Sequence, residues 1–316
     1  MLTRRQSLLA AALPGSSVLA PLLAPLLAPL AAAAQPFRVA YAGSMGALMD
    51  QGIGPAFAAQ AHLTYQGIGQ GAFALARLIA AKQMVADVFI PITAAPFEVV
   101  RKAGLAKAAV PVASTQMCIA YSPKSRFAAD FAAAAAGRKP WYEVLLQPGL
   151  RFGRTDPRTD PQGGNILFAL RLAEIFYKQP GFAAKLLGPA LNPKQIFTEA
   201  SLLTRLETGQ IDASSGYLSA VHSHKLPFIP LPKEINLGDP AMATSWYDRA
   251  RIQVPGPHGT TKLAVPEPLE FYAVALTNAP DPAAAARFVS FLRGPAAQKL
   301  FAAYGYSPPG GKVLTA

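Results

Sequence analysis

The sequence predicts an α/β protein of two lobes, each a mostly parallel sheet flanked by helices and joined by two crossing strands. Even without a predicted export signal at residues 1–34, the 316-residue chain is longer than one hydrophobic core usually supports. Three strand–turn–helix units follow one another near the start, and such units build a parallel sheet with right-handed crossovers. The strands of these units are predicted at residues 37–41, 63–66 and 86–90.

Each of these strands ends in a turn of small or polar residues. The turns lie at residues 42–46, 67–71 and 91–93, and periodic apolar residues after each turn predict a helix. In parallel sheets, ligands gather at the carboxyl ends of the strands, against the helix N-termini. We therefore expect the three turns to face one cleft.

The second lobe is predicted to begin where the chain first crosses between lobes, in a strand at 115–121. A strand at 151–155, a long turn, helices from about 165 to 178 and from 201 to 208, and a turn at 214–217 follow. An apolar strand at 269–276 then returns, before two closing helices. The predicted boundaries place the first lobe at 35–117 and 272–316 and the second lobe at 118–271.

Residues 1–34 are predicted to be a cleaved, twin-arginine-like export signal. Arg4 and Arg5 precede an apolar run without charge up to Arg38, and its small residues suit cleavage near Ala34/Gln35. A membrane anchor is the alternative, because the run is long enough to span a bilayer. Prolines within the run oppose a membrane helix. We expect a periplasmic protein, exported by the twin-arginine or the Sec route.

The composition is basic, with a formal net charge of +12. Its basic residues are scattered, so we expect no nucleic-acid partner but a field that attracts small anions. The lone Cys118 lies in an apolar stretch and is predicted to be buried. His222 and His224 suit one face of a strand, but no third ligand is near in sequence, so we predict neither a metal site nor a cofactor.

Four segments carry a resemblance to a known family. They are residues 42–44, 153–164, 206–212 and 273–308. These segments resemble the molybdate/tungstate-binding components of ABC importers, particularly the archaeal-type tungstate branch. The resemblance covers nearly the whole chain after the signal. It implies the type II periplasmic binding fold and a binding protein rather than an enzyme.

The resemblance also implies how an oxyanion is held. That family uses a serine of the first loop, small residues of the following loops and two carboxylates; by position, Ser44 matches the serine and Asp160 the first carboxylate. Pro91 stands where the family tends to carry a further serine, with Thr93 nearby, and the second carboxylate falls at about Gly216. The candidate ligand-binding residues are Gly43, Ser44, Gly69, Gln70, Gly71, Thr93, Asp160, Ser215 and Tyr217.

Two of these residues have a second interpretation. Ser44 precedes a helix and could be its N-cap. Asp160 followed by Pro161 is typical of an N-cap with proline at the first helical position. A carboxylate beside a dianion is repulsive unless it ligates the metal centre or is offset by donors. Arg154 could supply positive charge, although an exposed surface position is usual for arginine.

The sequence therefore predicts an extracytoplasmic solute-binding protein that captures molybdate or tungstate between its lobes. The resemblance implies delivery to the membrane permease of an ABC importer, and we expect a monomer. A protein for another small anion, such as sulfate, phosphate or an organic acid, is the alternative. An exported hydrolase is the rival class, but the sequence lacks a G-x-S-x-G elbow and an H-E-x-x-H motif.

Overall fold

A computed structural model describes residues 35–315, so the predicted export signal at 1–34 lies outside the described residues. The strands are β1 (Phe37–Ala42), β2 (Tyr65–Gln70), β3 (Val88–Ile90), β4 (Ala108–Ser114), β5 (Met117–Tyr121), β6 (Phe152–Gly153), β7 (Ala213–Tyr217), β8 (Phe228–Pro230), β9 (Ile252–Pro255), β10 (Thr261–Ala264), β11 (Glu270–Ala275) and β12 (Leu314–Thr315).

Twelve α-helices are present in the described residues. They are α1 (Gly46–Leu48), α2 (Gly54–Ala61), α3 (Ala72–Ala80), α4 (Ala94–Lys102), α5 (Ala128–Ala135), α6 (Trp141–Leu145), α7 (Pro161–Phe176), α8 (Phe182–Leu187), α9 (Glu199–Thr208), α10 (Leu218–Ser223), α11 (Pro282–Arg293) and α12 (Pro295–Ala303).

Six strands form the first sheet, in the order β12-β4-β11-β3-β1-β2. The buried strands β11 and β3 form its centre, and apolar helix faces cover it. Phe37 of β1 packs on Phe57 of α2 and Phe288 of α11, with ring centroids 4.8 to 5.4 Å apart. Truncating one such buried ring to alanine typically costs about 3–5 kcal/mol. This aromatic cluster ties the closing helix to the first strand.

The second sheet has the order β6-β7-β5-β8, and β9 with β10 forms a separate hairpin. The chain leaves the first sheet after β4, enters the second at β5, and returns through β11. The two-sheet α/β architecture is as predicted, but the pairing is mixed rather than mostly parallel. Only β1–β2, β1–β3 and β6–β7 are parallel among the described strands. The returning strand β11 starts at the edge where β1 and β3 end, so it runs antiparallel to β3.

Two predicted turns are strands. Residues 67–70 belong to β2, where the ring of Tyr41 covers Gly69: a Cβ on Gly69 would lie 2.7 Å from Tyr41 Cε2. Residues 214–217 belong to β7, because β5 and β6 supply hydrogen-bonding partners on both of its sides. Glycine and serine are typical of turns, but in both segments strand pairing and close packing determine the conformation.

The single cysteine lies in a strand, and the two neighbouring histidines lie in and just after a helix. Cys118 is buried in β5, as predicted. His222 lies in α10 rather than in a strand, and His224 contacts Glu207. Within residues 35–315, no cluster of three or more His, Cys, Asp or Glu is arranged to hold a metal ion. No helix of that same span is both long and apolar enough to cross a membrane.

Candidate ligand-binding site

A cleft of about 870 Å³ lies between turns of the two sheets. One wall comes from the first turn, β2 and the start of α3; the other comes from the segment before α7 and the start of α9. Five of the predicted ligand-binding residues line this cleft. They are Gly43, Gly69, Gln70, Gly71 and Asp160.

Ser44 is buried beside this cleft, in the single helical turn Gly43–Met45 that follows β1. Its side chain makes no capping hydrogen bond, so the N-cap interpretation is wrong. Its backbone carbonyl accepts a hydrogen bond from the Tyr306 hydroxyl (3.2 Å). Among the residues that the structure describes, the Ser44 hydroxyl has no hydrogen-bond partner. A buried hydroxyl without a partner is costly in a folded protein, and it is a ready donor for a ligand.

Asp160 is the N-cap of α7, as its sequence context predicts. Its Oδ1 accepts a hydrogen bond from the backbone N–H of Gln162 (2.9 Å), and Pro161 occupies the first helical position. Burial raises the pKa of Asp160 to about 6; the Gln162 bond opposes this rise and the charge of Asp156 adds to it. The cap does not exclude ligand contact, because Asp160 also lines the cleft.

A second carboxyl group lies close to Asp160, but it is Glu199 rather than a residue at position 216. Glu199 is the first residue of α9 and is buried in the cleft wall. Burial raises its pKa well above the ordinary value, and the charge of Asp160 adds to this, while hydrogen bonds from the Ser44 backbone and Gln162 oppose it. Position 216 has no room for a side chain, since a Cβ there would lie 2.7 Å from Val221 Cγ2.

Gln162 joins several of the site residues. Its side-chain amide donates to Glu199 Oε1 (3.0 Å), and its amide oxygen accepts from the Ser215 hydroxyl (3.0 Å). Nearby, the Asn165 side-chain amide donates to the Tyr217 hydroxyl (2.9 Å). Ser215 and Tyr217 are therefore close to the predicted site, but they stand behind the cleft wall and are linked to it through the first turns of α7.

Thr93 is the predicted site residue that lies apart from the others. It is buried just before α4 with a left-handed backbone conformation, φ +67°. It lines a different cavity of about 350 Å³, together with Asn165 and residues of the β9–β10 hairpin. The 870 Å³ cleft does not include it among its lining residues.

The cleft is acidic although the protein is basic. Four carboxyl groups line it, and no lysine, arginine or histidine does so within the described part of the chain; the four are Asp50, Asp156, Asp160 and Glu199. Asp50 accepts a hydrogen bond from the Tyr41 hydroxyl (2.7 Å), and Asp156 pairs with the exposed Arg158 (2.6 Å). The donors that the described lining offers to an anion are therefore hydroxyl and amide groups rather than a cation.

Arg154 differs from its predicted surface position, because it is fully buried. Its guanidinium donates to the Gln195 side chain (3.2 Å) and to the Pro189 carbonyl (3.0 Å). These bonds direct it away from the cleft, although its charge still acts on Asp156. The arginine therefore holds the segment before α7 in place.

Sequence reasoning missed Glu199, Gln162 and Asn165. All three lie in the first two turns of a helix, where polar residues are ordinarily explained by capping and by the helix dipole. One signal was present: Thr198 alone suffices to cap α9, and it does so by accepting from the Ser201 amide. Glu199 was thus free for another role.

Comparisons with known proteins agree with this architecture. The family model described as bacterial extracellular solute-binding protein matches residues 37–307. An uncharacterized solute-binding protein of Petrotoga mobilis is 30% identical over 63% of this chain and 61% of its own. The molybdate/tungstate-binding protein of Thermococcus kodakarensis is 30% identical over 60% of this chain and 57% of its own. The matches thus span less than two thirds of each of these relatives.

A solved structure extends the likeness to the fold. The periplasmic molybdate-binding protein of Azotobacter vinelandii superposes with a TM-score of 0.60 at 17% identity, over 86% of this chain and 99% of that one. At that identity the superposition establishes the fold alone, and it confirms the predicted two-lobe periplasmic-binding architecture. From the family match over most of its length, the chain belongs to the bacterial extracellular solute-binding proteins.

Proposed function

We propose that this protein captures molybdate or tungstate in the cleft between its two sheets and delivers it to the membrane permease of an ABC importer. The relative from Thermococcus kodakarensis, named for both anions, supports this ligand class. The shared fold with a periplasmic binding protein supports capture of a solute between two sheets. Sulfate, phosphate or an organic acid remains the alternative ligand.

The observation that carries the proposal is the Ser44 hydroxyl, which is buried and has no partner among the described residues. It sits where the chain turns from β1 into a helical segment, next to Gly43 of the cleft lining. A hydrogen bond to a charged ligand is worth about 1.5–3 kcal/mol, more than a neutral one. An oxyanion oxygen would satisfy this hydroxyl.

We also propose that two lobes close on the ligand. Their boundaries are those predicted from sequence, with the first lobe at 35–117 and 272–316 and the second lobe at 118–271. The Thr159 carbonyl, in the segment before α7, accepts from the Ala74 amide of α3 over 3.1 Å. This bond joins the two walls of the cleft at its edge. A ligand that touches both walls stabilises this closed arrangement. We further propose that the mature protein is a periplasmic monomer, cleaved near Ala34/Gln35, that releases its ligand unchanged.

The direct test is calorimetric titration of the mature protein with molybdate, tungstate, sulfate, phosphate and citrate. We expect molybdate and tungstate to bind and to raise the melting temperature, because a ligand that binds only the native state stabilises it. Stabilisation by sulfate, phosphate or citrate instead would transfer the proposal to that anion. Native mass spectrometry of the freshly purified protein should show the co-purified anion, and an ester panel should show no hydrolysis above the buffer rate.

Ser44→Ala tests whether the Ser44 hydroxyl binds the anion, with Ser125→Ala as its matched control. Ser44→Ala should weaken molybdate binding about tenfold or more, since one donor is lost. Its apo stability should be unchanged, because the hydroxyl has no partner to lose. Ser125 is also buried, but its hydroxyl donates to Asp212 (2.8 Å). Ser125→Ala should therefore lower stability and leave affinity unchanged; the same pattern in Ser44→Ala would remove Ser44 from the site.

A further inference from the structure

Two buried carboxyl groups converge on Gln162 from the starts of two helices. Asp160 Oδ1 accepts from the Gln162 backbone N–H (2.9 Å), and Glu199 Oε1 accepts from its side-chain amide (3.0 Å). Both residues are more than nine-tenths buried. Glu199 also reaches the opposite wall, because its Oε2 lies 3.2 Å from the position of a Cβ on Gly43. Glu199 is thus adjacent both to the carboxyl of Asp160 and to the turn that holds Ser44.

The groups around this pair supply N–H donors to Glu199, from the Ser44 backbone and from Gln162, but little positive charge. Asp156 adds a further negative charge beside Asp160. The Tyr217 and Tyr306 hydroxyls near Glu199 are buried, which holds them neutral. Arg158 is exposed and paired with Asp156, and Arg154 bonds to Gln195 and Pro189.

No lysine or arginine in the described residues forms an ion pair with Asp160 or Glu199, and His224 pairs instead with Glu207. Two ionised carboxylates that are buried side by side repel one another, so the pair keeps one proton to a higher pH than an isolated carboxyl group does. Glu199 is the favoured carrier. Burial raises the pKa of Glu199 well above its ordinary value, and the charge of Asp160 adds to this rise.

We propose that Glu199 contacts the bound oxyanion as a neutral carboxylic acid and donates its proton in a hydrogen bond to an anion oxygen. This assignment rests on the proposed oxyanion-binding function. At a pH where both carboxyl groups are ionised in the free protein, Glu199 takes up one proton from solvent when the anion binds. No covalent bond of the anion is broken. The acid then supplies a donor in a cleft that no lysine, arginine or histidine of residues 35–315 lines.

This role makes Glu199 a specificity-determining residue. A neutral carboxyl group is a donor, so it suits a fully deprotonated dianion such as molybdate or tungstate. An ionised Glu199 is an acceptor and suits a ligand with its own O–H donor, such as hydrogen phosphate. The charge of a bound dianion further favours the protonated form, so molybdate and the proton bind cooperatively.

The experiment is calorimetric titration of molybdate into the mature protein, in buffers of different ionisation enthalpy, from about pH 6 to about pH 10, a range that includes the pKa of about 8–9 known for buried glutamates. The dependence of the heat on the buffer counts the protons taken up. The wild type should approach one proton at the upper end, where its affinity should fall up to tenfold per pH unit. Glu199→Gln keeps an N–H donor and cannot titrate, so it should bind molybdate without proton uptake and with a flatter pH dependence.

Glu174→Gln is the matched control, because Glu174 is also buried but pairs with Arg171 on α7. It should reproduce the wild-type proton count. The assignment is overturned if wild-type binding is independent of pH without proton uptake, or if Glu199→Gln keeps the wild-type slope. The wild-type count decides the matter even if Glu199→Gln does not fold. Failure of the wild type to bind any oxyanion at any pH would instead overturn the proposed function itself.

Discussion

The side-chain amide of Gln162 donates to Glu199 Oε1 over 3.0 Å, and so joins the first turns of α7 and α9. Its amide oxygen accepts from the Ser215 hydroxyl. Gln162→Leu should leave both partners buried and unsatisfied, which costs about 1–3 kcal/mol for each such group. Urea unfolding of the ligand-free protein should show a loss of that order. The exposed Gln253→Leu serves as control, and an equal effect in both variants would contradict the bridging role.

Gly71 tests whether the cleft closes on its ligand. A Cβ on Gly71 would lie 2.5 Å from the Thr159 carbonyl oxygen, which belongs to the opposite wall. Gly71→Ala should therefore hold the walls apart and weaken molybdate binding about tenfold or more, with little change in apo stability. Calorimetric titration measures the affinity. Gly164→Ala is the matched control, because nothing lies within 4 Å of its added Cβ; an unchanged affinity in Gly71→Ala would contradict closure.

Processing of the N-terminus is the third expectation. Residues 1–34 combine the Arg4-Arg5 pair with an apolar run that ends in alanines, which is typical of a cleaved signal. Intact-mass measurement on protein from a periplasmic extract should place the mature N-terminus at or within a few residues of Gln35. Arg4→Lys with Arg5→Lys should abolish export if the twin-arginine route is used, and should leave it intact if the Sec route is used. A membrane-bound product that retains Met1 would refute cleavage.

Strongly apolar elements were predictable from sequence, and small polar ones were not. β1, β3 and β11 are almost wholly buried, so their apolar runs identify them. β7 reads Ala-Ser-Ser-Gly-Tyr, and only its neighbours β5 and β6 make it a strand. The Asp160 cap was likewise predictable because it depends on adjacent residues. The Glu199–Gln162 contact joins residues 37 positions apart, and no local pattern encodes it.

Variants of Asp160 distinguish its role as a helix cap from direct contact with the ligand. Asparagine and aspartate cap helices about equally well. Asp160→Asn should therefore keep the helix intact and change the affinity of the protein for molybdate by less than about tenfold. Asp160→Ala should cost roughly 1 kcal/mol of stability through loss of the cap to the Gln162 amide. Titration and urea unfolding of the two variants measure these effects separately. A larger affinity loss in Asp160→Asn, at unchanged apo stability, would show that the carboxyl group itself contacts the anion.

The pH dependence of apo stability provides the last prediction. Burial raises the pKa of Asp160 to about 6 in the folded protein, against about 4 in an unfolded chain. Between these values the folded state binds more protons than the unfolded state, so the free energy of unfolding falls as pH rises through that window. The raised pKa of Glu199 adds a fall of the same sign at higher pH. Each group contributes a slope of at most about 1.4 kcal/mol per pH unit.

Variants isolate this contribution from the other titrating groups. Asp212 acts in the opposite sense: burial alone would raise its pKa, but hydrogen bonds from Arg151 and Ser125 hold it below its ordinary value, so its contribution is lost in acid. Asp160→Asn and Glu199→Gln keep Asp212 and remove one buried carboxyl group each. Urea unfolding from about pH 4 to about pH 8 should therefore show wild-type stability declining relative to both variants as pH rises. The raised pKa values require that the two buried carboxyl groups have no cationic partner. If the wild type instead gained stability relative to the variants as pH rises, an unrecognised cation would have to compensate Asp160 and Glu199.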